Sequence, residues 1–459
     1  MTPVAGKLGD LFGRKPLLVG GMLGFVLASA ICGLAQDMGQ LIAFRAMQGI
    51  FDGVLIATVF ASVADIYPPV ARARMLGVLG GVFGLASIIG PTLGGYLADN
   101  LSWRWVFYAN LPVGAIALLF VLLTMPRVRA FATWRSIDFP GAAALTGGLV
   151  PLLVAFSITQ DHEWTSPQVL GLLAVAAVVL VAFFFIERRQ ADPIVPFGLF
   201  LNRTFAVSVV ASFLAGIGLF GTVIFVPLIY QGVLGTSATN SGALLTPFVG
   251  GLVVASVIGG QLMTRMHHYR FLGTLGIAIT VLGLWLLSQI SPRSDSAEVV
   301  RDLVIIGLGI GTTIPLYLSA AQSAVSDQLT GVVTSQITFW RNVGATIGIA
   351  VLGSILTQEL PSQIQAQAAS RNLPPQMLSG LSQLGGNAQA LFEPARLASL
   401  PAAVVDAVRA ALATSLHDLF IYAAVALALS AVVSVFLNDV PIGAPQEQAP
   451  RGPVVALAD

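Results

Sequence analysis

The sequence GKLGDLFGRK at residues 6–15 runs directly into an apolar segment at Leu17–Ala35. Its glycines permit a tight turn, and the basic pair Arg14 and Lys15 suits the anionic inner leaflet of a membrane. Asp10 is the only acid in the stretch, and we expect it beside a helix start or an arginine. A helix needs about 20 apolar residues to cross the ~30 Å hydrocarbon core of a bilayer. The stretch therefore predicts a basic cytoplasmic turn that leads into a membrane-spanning helix.

The composition excludes an ordinary soluble domain. Charged residues make up 9% of the chain and apolar residues 56%, whereas a typical soluble domain is about 25% charged. The net charge of +1 shows no excess of basic residues of the kind that binds nucleic acid. The lone Cys32 excludes a disulfide framework, and the four scattered histidines do not suggest a metal site. We therefore expect an all-α integral membrane protein with no metal or other cofactor.

About twelve segments meet the length and polarity required of a membrane span. An even number of spans places both termini on the same side of the membrane. The predicted spans are Leu17–Ala35, Gly39–Ser62, Met75–Ala98, Trp105–Met125, Ile137–Phe156, Gln168–Glu187, Phe205–Tyr230, Ser241–Thr264, Phe271–Gln289, Leu303–Ser323, Val332–Thr357 and Leu416–Leu437.

Basic residues collect in alternate loops, and loops of that kind face the cytoplasm. The opposite short loops hold only Arg104, Arg293 and Arg301. Both termini are therefore predicted to lie in the cytoplasm. The basic loops hold Lys7, Arg14, Lys15, Arg72, Arg74, Arg127, Arg129, Arg135, Arg188, Arg189, Arg203, Arg265 and Arg270.

Two more motifs follow on the next two spans. The second span holds RAMQG at residues 45–49, and the third holds Gly84 and then GPTLGG at residues 90–95. Small residues allow two helices to approach closely. Pro91 removes one backbone donor and favours a kink.

Together the three motifs resemble the A, B and antiporter motifs of the major facilitator superfamily. The residues of the first and third that carry the resemblance are Gly6, Asp10, Gly13, Arg14, Lys15, Gly84, Gly90, Pro91, Gly94 and Gly95. Further matches resemble its fourteen-helix drug:proton antiporters, the EmrB/QacA-like efflux proteins. These are SWRWVFYANLPVG at 102–114, ERR followed by Asp192-Pro193 at 187–193, YQGVLG at 230–235 with Ser241-Gly242, and FWRNVG at 339–344.

The resemblance covers almost the whole chain and implies two helical bundles related by pseudo-symmetry. Residues 1–125 would form an incomplete N-terminal bundle of four spans, and 126–190 an extra linking helix pair. Residues 191–439 would form a C-terminal six-helix bundle with an outer loop at 358–415. The Pro-rich tail at 440–459 is predicted to be disordered.

The place of the first motif predicts that two helices are absent. In the family this motif lies between helices two and three, so the span Leu17–Ala35 corresponds to family helix three. We expect a mis-assigned start codon or a fragment, and the alternative is a natural short form.

Charged groups inside the second span are candidates for function, since such charges are costly. Arg45, Gln48 and Asp52 lie on one helix face, with ~10 Å along the axis between Arg45 and Asp52. We expect this stripe to face the central cavity, with Asp52 suited to proton coupling or to tuning substrate charge. The resemblance implies proton coupling for Arg45. The alternative is that Asp52 has a structural role, with its carboxylate hydrogen-bonded by neighbouring helices.

Arg341 is the matching charge of the C-terminal half, near the middle of its span and without an acidic partner there. It is either a cavity or proton-coupling residue or a structural arginine bound to backbone carbonyls. Phe220, Phe225, Tyr230 and Met263 are candidates for an apolar drug pocket, and packing roles are the alternative.

The predicted function is secondary active export of small amphipathic compounds in exchange for protons, in a bacterial inner membrane. The chain lacks an ATP-binding P-loop, and we expect a monomer that is not an enzyme. Three alternatives stay open. They are an exporter of one endogenous metabolite or lipid, an integral-membrane enzyme, which would need clustered His, Asp or Glu, and a non-transporting sensor or fragment.

Overall fold

The computed structural model describes residues 4–5, 8–9, 12–126, 138–159, 162–190, 193–235, 245–266, 270–326, 329–373 and 401–438, apart from several side chains between 64 and 99 and that of Thr264. All regular secondary structure in these ranges is helical, which confirms the predicted all-α fold. The predicted tail at 440–459, and Gly6 and Asp10 of the first motif, lie outside the described residues.

The N-terminal helices begin at well-defined caps. Gly13 precedes the first helix with a φ of 85°, a left-handed conformation that glycine adopts without strain. The carboxylate of Asp37 accepts a hydrogen bond from the backbone N–H of Gln40 at 2.8 Å and caps the second helix. The helices α1 to α5 are Arg14–Gly33, Met38–Ile66, Pro69–Asn100, Trp105–Tyr108 and Asn110–Thr124.

The linking helices pack mainly against each other. Asp138 Oδ1 accepts a hydrogen bond from the backbone N–H of Gly141 at 2.8 Å, and Ser166 Oγ accepts one from Val169 at 3.4 Å. Both side chains are N-caps of the kind that start a helix. The pair comprises α6, Phe139–Ile158, and α7, Pro167–Glu187.

The C-terminal helices surround one apolar core. Leu284, Tyr317 and Phe420 are among its almost fully buried side chains. A single π-helical turn, Ile229–Val233, follows the first of these helices. The helices α8 to α13 are Arg203–Leu228, Thr246–Arg265, Arg270–Ser288, Ser296–Ser323, Thr330–Ser370 and Ala402–Val435.

Each predicted span coincides with a helix over most of its described residues. Eleven helical segments among the described residues are long and apolar enough to cross a membrane, and Trp105–Thr124 counts as one of them. The helix α3, which has 32 residues, carries the remaining predicted span at Met75–Ala98. The chain therefore has the architecture of a multi-pass membrane protein.

The helices on either side extend into the segment predicted as an outer loop at 358–415. The helix α12 continues to Ser370, and α13 already begins at Ala402. Alanine and glutamine favour the helical conformation, so these flanks extend the helices although they exceed the length a bilayer requires. Residues 374–400 lie outside the described part of the chain.

The N-terminal helices contact the C-terminal ones through α2 and α3, and α3 also touches α11. The helix α3 packs on α9 more extensively than on α2, and α2 touches α12. By contrast, α5 has no buried residue. The space between these two sets of helices holds the candidate site.

Candidate functional site

A cavity of about 150 Å³ lies where α2 and α3 face α8, α9, α11 and α12. Three aromatic rings line it, those of Phe60, Phe220 and Phe248, and its polar side chains are those of Arg341 and Asn342. The remaining lining residues are Ile56, Gly80, Gly84, Leu219, Val223, Leu245, Val249, Leu252 and Ile314. Such a wall suits a compound with a large apolar body and few polar groups.

One aromatic candidate from the sequence lies at the cavity. Phe220 is part of its wall. Phe225, Tyr230 and Met263 are instead buried in the C-terminal core. Their spans are apolar on several faces, so composition could not show which face meets the cavity.

An apolar cluster, here called the Val63 cluster, lies where the last turns of α2 meet α8, α11 and α12. Phe60 contacts this cluster and also lines the cavity. The cluster lies beyond the cavity residues Ile56 and Phe60 along α2, and its packed apolar side chains exclude water from the end of that helix. Its buried members are Val63, Phe205, Val209, Leu318, Ala321, Val325, Val333 and Ile337.

Two glycines hold Arg341 in place by letting α8 and α12 touch backbone to backbone. A Cβ atom at Gly216 would collide with the backbone oxygen of Arg341. A Cβ atom at Gly344 would collide with the backbone oxygen of Phe213. This contact gives a physical reason for the glycine that ends FWRNVG and fixes Arg341 at the crossing.

Arg341 borders two cavities. Besides the main one, it lines a small neighbouring space with the hydroxyl groups of Ser212, Thr313 and Tyr317. Within the described ranges its guanidinium forms no hydrogen bond or ion pair, including any with a backbone carbonyl. Arg341 therefore lies in the cavity wall.

The polar stripe on α2 separates into two parts. Arg45 donates a hydrogen bond from Nη1 to Gln48 Oε1 at 2.7 Å, and its guanidinium lies 5.8 Å from the centre of the Phe107 ring. Gln48 is buried, and Asp52 is exposed. The Asp52 carboxylate is not in the cavity wall and has no hydrogen bond or ion pair with another described residue.

The basic pair of the first motif ties three helices together. Arg14 Nε lies 2.6 Å from Asp65 Oδ2 at the end of α2. Lys15 Nζ donates to the backbone oxygens of Leu122 at 2.8 Å and Met125 at 2.7 Å. An ammonium group at these free carbonyls also complements the helix dipole.

Known proteins that resemble this chain have the same type of fold. Residues 1–349 match the family described as the Major Facilitator Superfamily. The chain belongs to this superfamily. Members of the superfamily are transporters rather than enzymes, and they carry small molecules, often with protons.

Two bacterial relatives of this superfamily are similar over nearly the whole chain. The multidrug transporter protein MdtP of Bacillus subtilis is 36% identical over 455 residues, which is 96% of this chain and 84% of the relative. Multidrug resistance protein 3 of the same organism is 34% identical over 95% of this chain and 85% of its own length.

A solved structure of the superfamily shows the same fold. The human organic anion transporter MFSD10 superposes with a TM-score of 0.54 over 93% of this chain and 80% of its own. The sequences are 16% identical, so this likeness concerns the fold alone.

In this member of the superfamily, Gly84 is the one glycine of the third motif that packs tightly against described residues. A Cβ atom at Gly84 would lie 2.8 Å from Val249 Cγ1 of α9. At Gly90, Gly94 and Gly95 a Cβ atom would meet nothing within 4 Å in the described part of the chain. The helix assignment continues through Pro91, whose side chain is not described.

Three carboxylates of this transporter that were not candidates from the sequence are buried or paired in the structure. Asp65 pairs with Arg14, and the only signal for it was an acid at the end of the span opposite the basic turn. Asp138 and Glu187 lie at ends of the linking helices and are buried, with 4% and 1% of their surface exposed. Glu187 Oε1 accepts a hydrogen bond from the backbone N–H of Val195 at 2.6 Å.

Proposed function

We propose that this protein is a proton-coupled exporter of small amphipathic compounds, drugs among them, of the fourteen-helix antiporter type. It would act as a monomer in a bacterial inner membrane with both termini in the cytoplasm. The observation that carries the proposal is the apolar cavity between α2 and α3 on one side and the C-terminal helices on the other. The names of the two bacterial relatives, both multidrug proteins, support it.

Alternating access would use the two sets of helices that enclose the cavity. Secondary transporters expose a central site to either side by rocking one bundle against the other. The Val63 cluster joins α2 to the C-terminal helices at the end where α2 finishes. Separation of these side chains would open the cavity to the cytoplasm, and their repacking would close it.

Proton coupling would use the stripe of Arg45, Gln48 and Asp52. A carboxylate inside a span can bind a proton and lose it again when its exposure to water changes. Asp52 precedes the lining residue Ile56 by one helical turn, so a modest movement of α2 would change its surroundings. Arg45 hydrogen-bonds to Gln48, and Asp52 has no ion pair with any described residue.

The test is substrate-driven proton movement in proteoliposomes. With an imposed pH gradient, the native protein should move a lipophilic dye and release protons on the opposite side. Asp52→Asn should lose the coupling while still binding the dye. The matched control is Asp37→Asn, because asparagine caps a helix as well as aspartate does. Unchanged coupling in Asp52→Asn would remove Asp52 from the mechanism.

The breadth of substrates tests the export role itself. Transport of several unrelated amphipathic compounds would support drug efflux. Transport of one compound class alone would favour the exporter of a single endogenous metabolite. No transport of any compound would favour a non-transporting membrane protein.

The division into an incomplete four-span N-terminal bundle, a linking pair and a six-helix bundle is part of this proposal. So is the prediction that two further helices precede Met1 in the full transporter. The intact mass of the protein made from its own gene tests it. A mass several kilodaltons above 47.8 kDa is expected, and a mass equal to that value would contradict it.

A further inference from the structure

Arg341 is a cation in the wall of an intramembrane cavity, and no described residue supplies a counter-charge to it. It lies in α12 and reaches the main cavity beside Asn342. An arginine stays protonated in proteins, and an isolated charge in a low-dielectric setting is costly until it is paired. In the described part of the chain, no carboxylate lines either of the two spaces that Arg341 borders.

Among the described side chains, none that lines the two spaces from the helices around Arg341 is charged. Those that line the cavity from α2, α3, α8, α9 and α11 are apolar, and apart from Arg341 the only described ionisable group at the small neighbouring space is the phenol of Tyr317. That phenol hydrogen-bonds to the Ser434 hydroxyl. The undescribed stretch 236–244 beside the cavity residue Leu245 contains no ionisable side chain. Asp52 is the nearest acid along α2 and is not in the wall.

We infer that this cavity recognises amphipathic anions, with Arg341 as the group that binds the acidic head. A carboxylate or sulfonate would accept two parallel hydrogen bonds from the guanidinium fork. The rings of Phe60, Phe220 and Phe248 would contact the apolar body. This inference rests on the proposed function, because it assumes that the cavity is the transport site.

The same electrostatics select against cationic compounds. A positive group in the cavity would stand near Arg341 with little water between them, and like charges repel strongly at low dielectric. A neutral compound would use the apolar wall alone. The expected order of affinity is therefore anion, then neutral compound, then cation.

Binding of three matched probes to the protein in phosphatidylcholine nanodiscs tests the inference. The probes are pyrenebutyrate, its methyl ester and pyrenebutylamine, which share one aromatic body and differ in charge. The native protein should bind pyrenebutyrate most tightly. Arg341→Gln should lose about tenfold or more of that affinity, the cost of a charged hydrogen-bonding partner, and should bind the ester unchanged.

Two variants complete the design. Arg341→Lys keeps the charge without the fork and should fall between the native protein and Arg341→Gln. The matched control is Arg203→Gln, because Arg203 donates to the Phe436 backbone oxygen at an exposed position and is not in the cavity wall. The order of affinity for the anionic, neutral and cationic probes is measured on the native protein. It therefore tests the anionic preference even if Arg341→Gln does not fold.

A lipid head group carries the same chemistry as a free amphiphile. Addition of phosphatidylglycerol to the nanodiscs separates the two. Loss of pyrenebutyrate binding in the native protein would assign Arg341 to a lipid phosphate, which overturns the inference of a free anionic substrate. Unchanged binding supports it.

The outcomes also separate this inference from the export role. Equal or tighter binding of pyrenebutylamine, or binding of none of the probes, would overturn the anionic preference. Transport of cations in proteoliposomes would overturn it while export stands. Arginine-dependent binding of pyrenebutyrate without transport of any compound would support the anion site and contradict the proposed function.

Discussion

Arg14 Nε lies 2.6 Å from Asp65 Oδ2 and joins the start of α1 to the end of α2. The two partners differ in burial, since 7% of the Arg14 side chain is exposed and 35% of that of Asp65. The pair links the basic turn of the first motif to the helix that carries the Arg45 stripe.

This asymmetry predicts unequal effects of the two substitutions. Asp65→Ala removes a counter-charge from a buried cation, whereas Arg14→Met leaves a carboxylate that water can solvate. We expect Asp65→Ala to lower the free energy of unfolding by about 1–3 kcal/mol, and by more than Arg14→Met. Thermal unfolding in one detergent measures both. Equal losses, or a larger loss in Arg14→Met, would contradict the assignment.

Lys15 is predicted to hold the end of α5. Its ammonium group binds the backbone oxygens of Leu122 and Met125, so Lys15→Met leaves both without that donor. We expect a loss of about 1 kcal/mol of stability and faster hydrogen exchange around residues 120–126. Lys15→Arg is the control, because it retains a donor cation. Exchange that does not differ between the native protein and Lys15→Met would refute this role.

Gly84 and Gly90 belong to one motif but should respond differently to alanine. A Cβ atom at Gly84 meets Val249 at 2.8 Å, whereas one at Gly90 meets no described atom within 4 Å. We expect Gly84→Ala to cost about 1–3 kcal/mol through overpacking of α3 against α9, and Gly90→Ala to cost little. Melting temperatures of both variants test this. A similar loss of stability at the two sites would show that the close α3–α9 contact at Gly84 does not determine the cost of the added methyl group.

Glu187 is predicted to anchor the segment that follows α7. Its Oε1 binds the Val195 N–H, while Oε2, like Asp138 Oδ2, lies buried without a hydrogen-bond partner among the described residues. Glutamine can keep the bond to Val195 and donate its amide to Asp138. We therefore expect Glu187→Gln to be at least as stable as the native protein at neutral pH.

Glu187→Ala is the comparison for this site. It leaves the Val195 N–H without a partner and should cost about 1–3 kcal/mol. Denaturation followed by tryptophan fluorescence compares both variants with the native protein. A large loss in Glu187→Gln would mean that the negative charge of Glu187, rather than its hydrogen bond, stabilises this segment.

The helices themselves could be predicted because length and polarity are local properties. A run of about 20 apolar residues becomes a helix in a bilayer whatever surrounds it. Boundaries were less predictable, as α12 and α13 show, because alanine-rich flanks continue a helix beyond the apolar run. The family could also be identified from motif order, since several weak patterns occurred in sequence.

The site was only partly predictable. Arg341 was a candidate because an arginine in a span is costly wherever it points, and it does line the cavity. Arg45, Gln48 and Asp52 were placed together from their spacing, yet Gln48 binds Arg45 and Asp52 is exposed. The spacing of residues along a helix shows that they share one face of it. It does not show whether that face contacts the cavity, another helix or the surroundings of the protein.

Composition and motif order thus fixed the membrane class, the helices and the superfamily. The tertiary arrangement alone decided that Arg14 pairs with Asp65, that Phe220 faces the cavity while Phe225 is in the core, and that Arg341 has no counter-charge among the described residues. The physical reason is that a helix apolar on every side has no preferred inner face. Its rotation is set by close contacts such as that between Gly216 and Arg341, which join residues far apart in the chain.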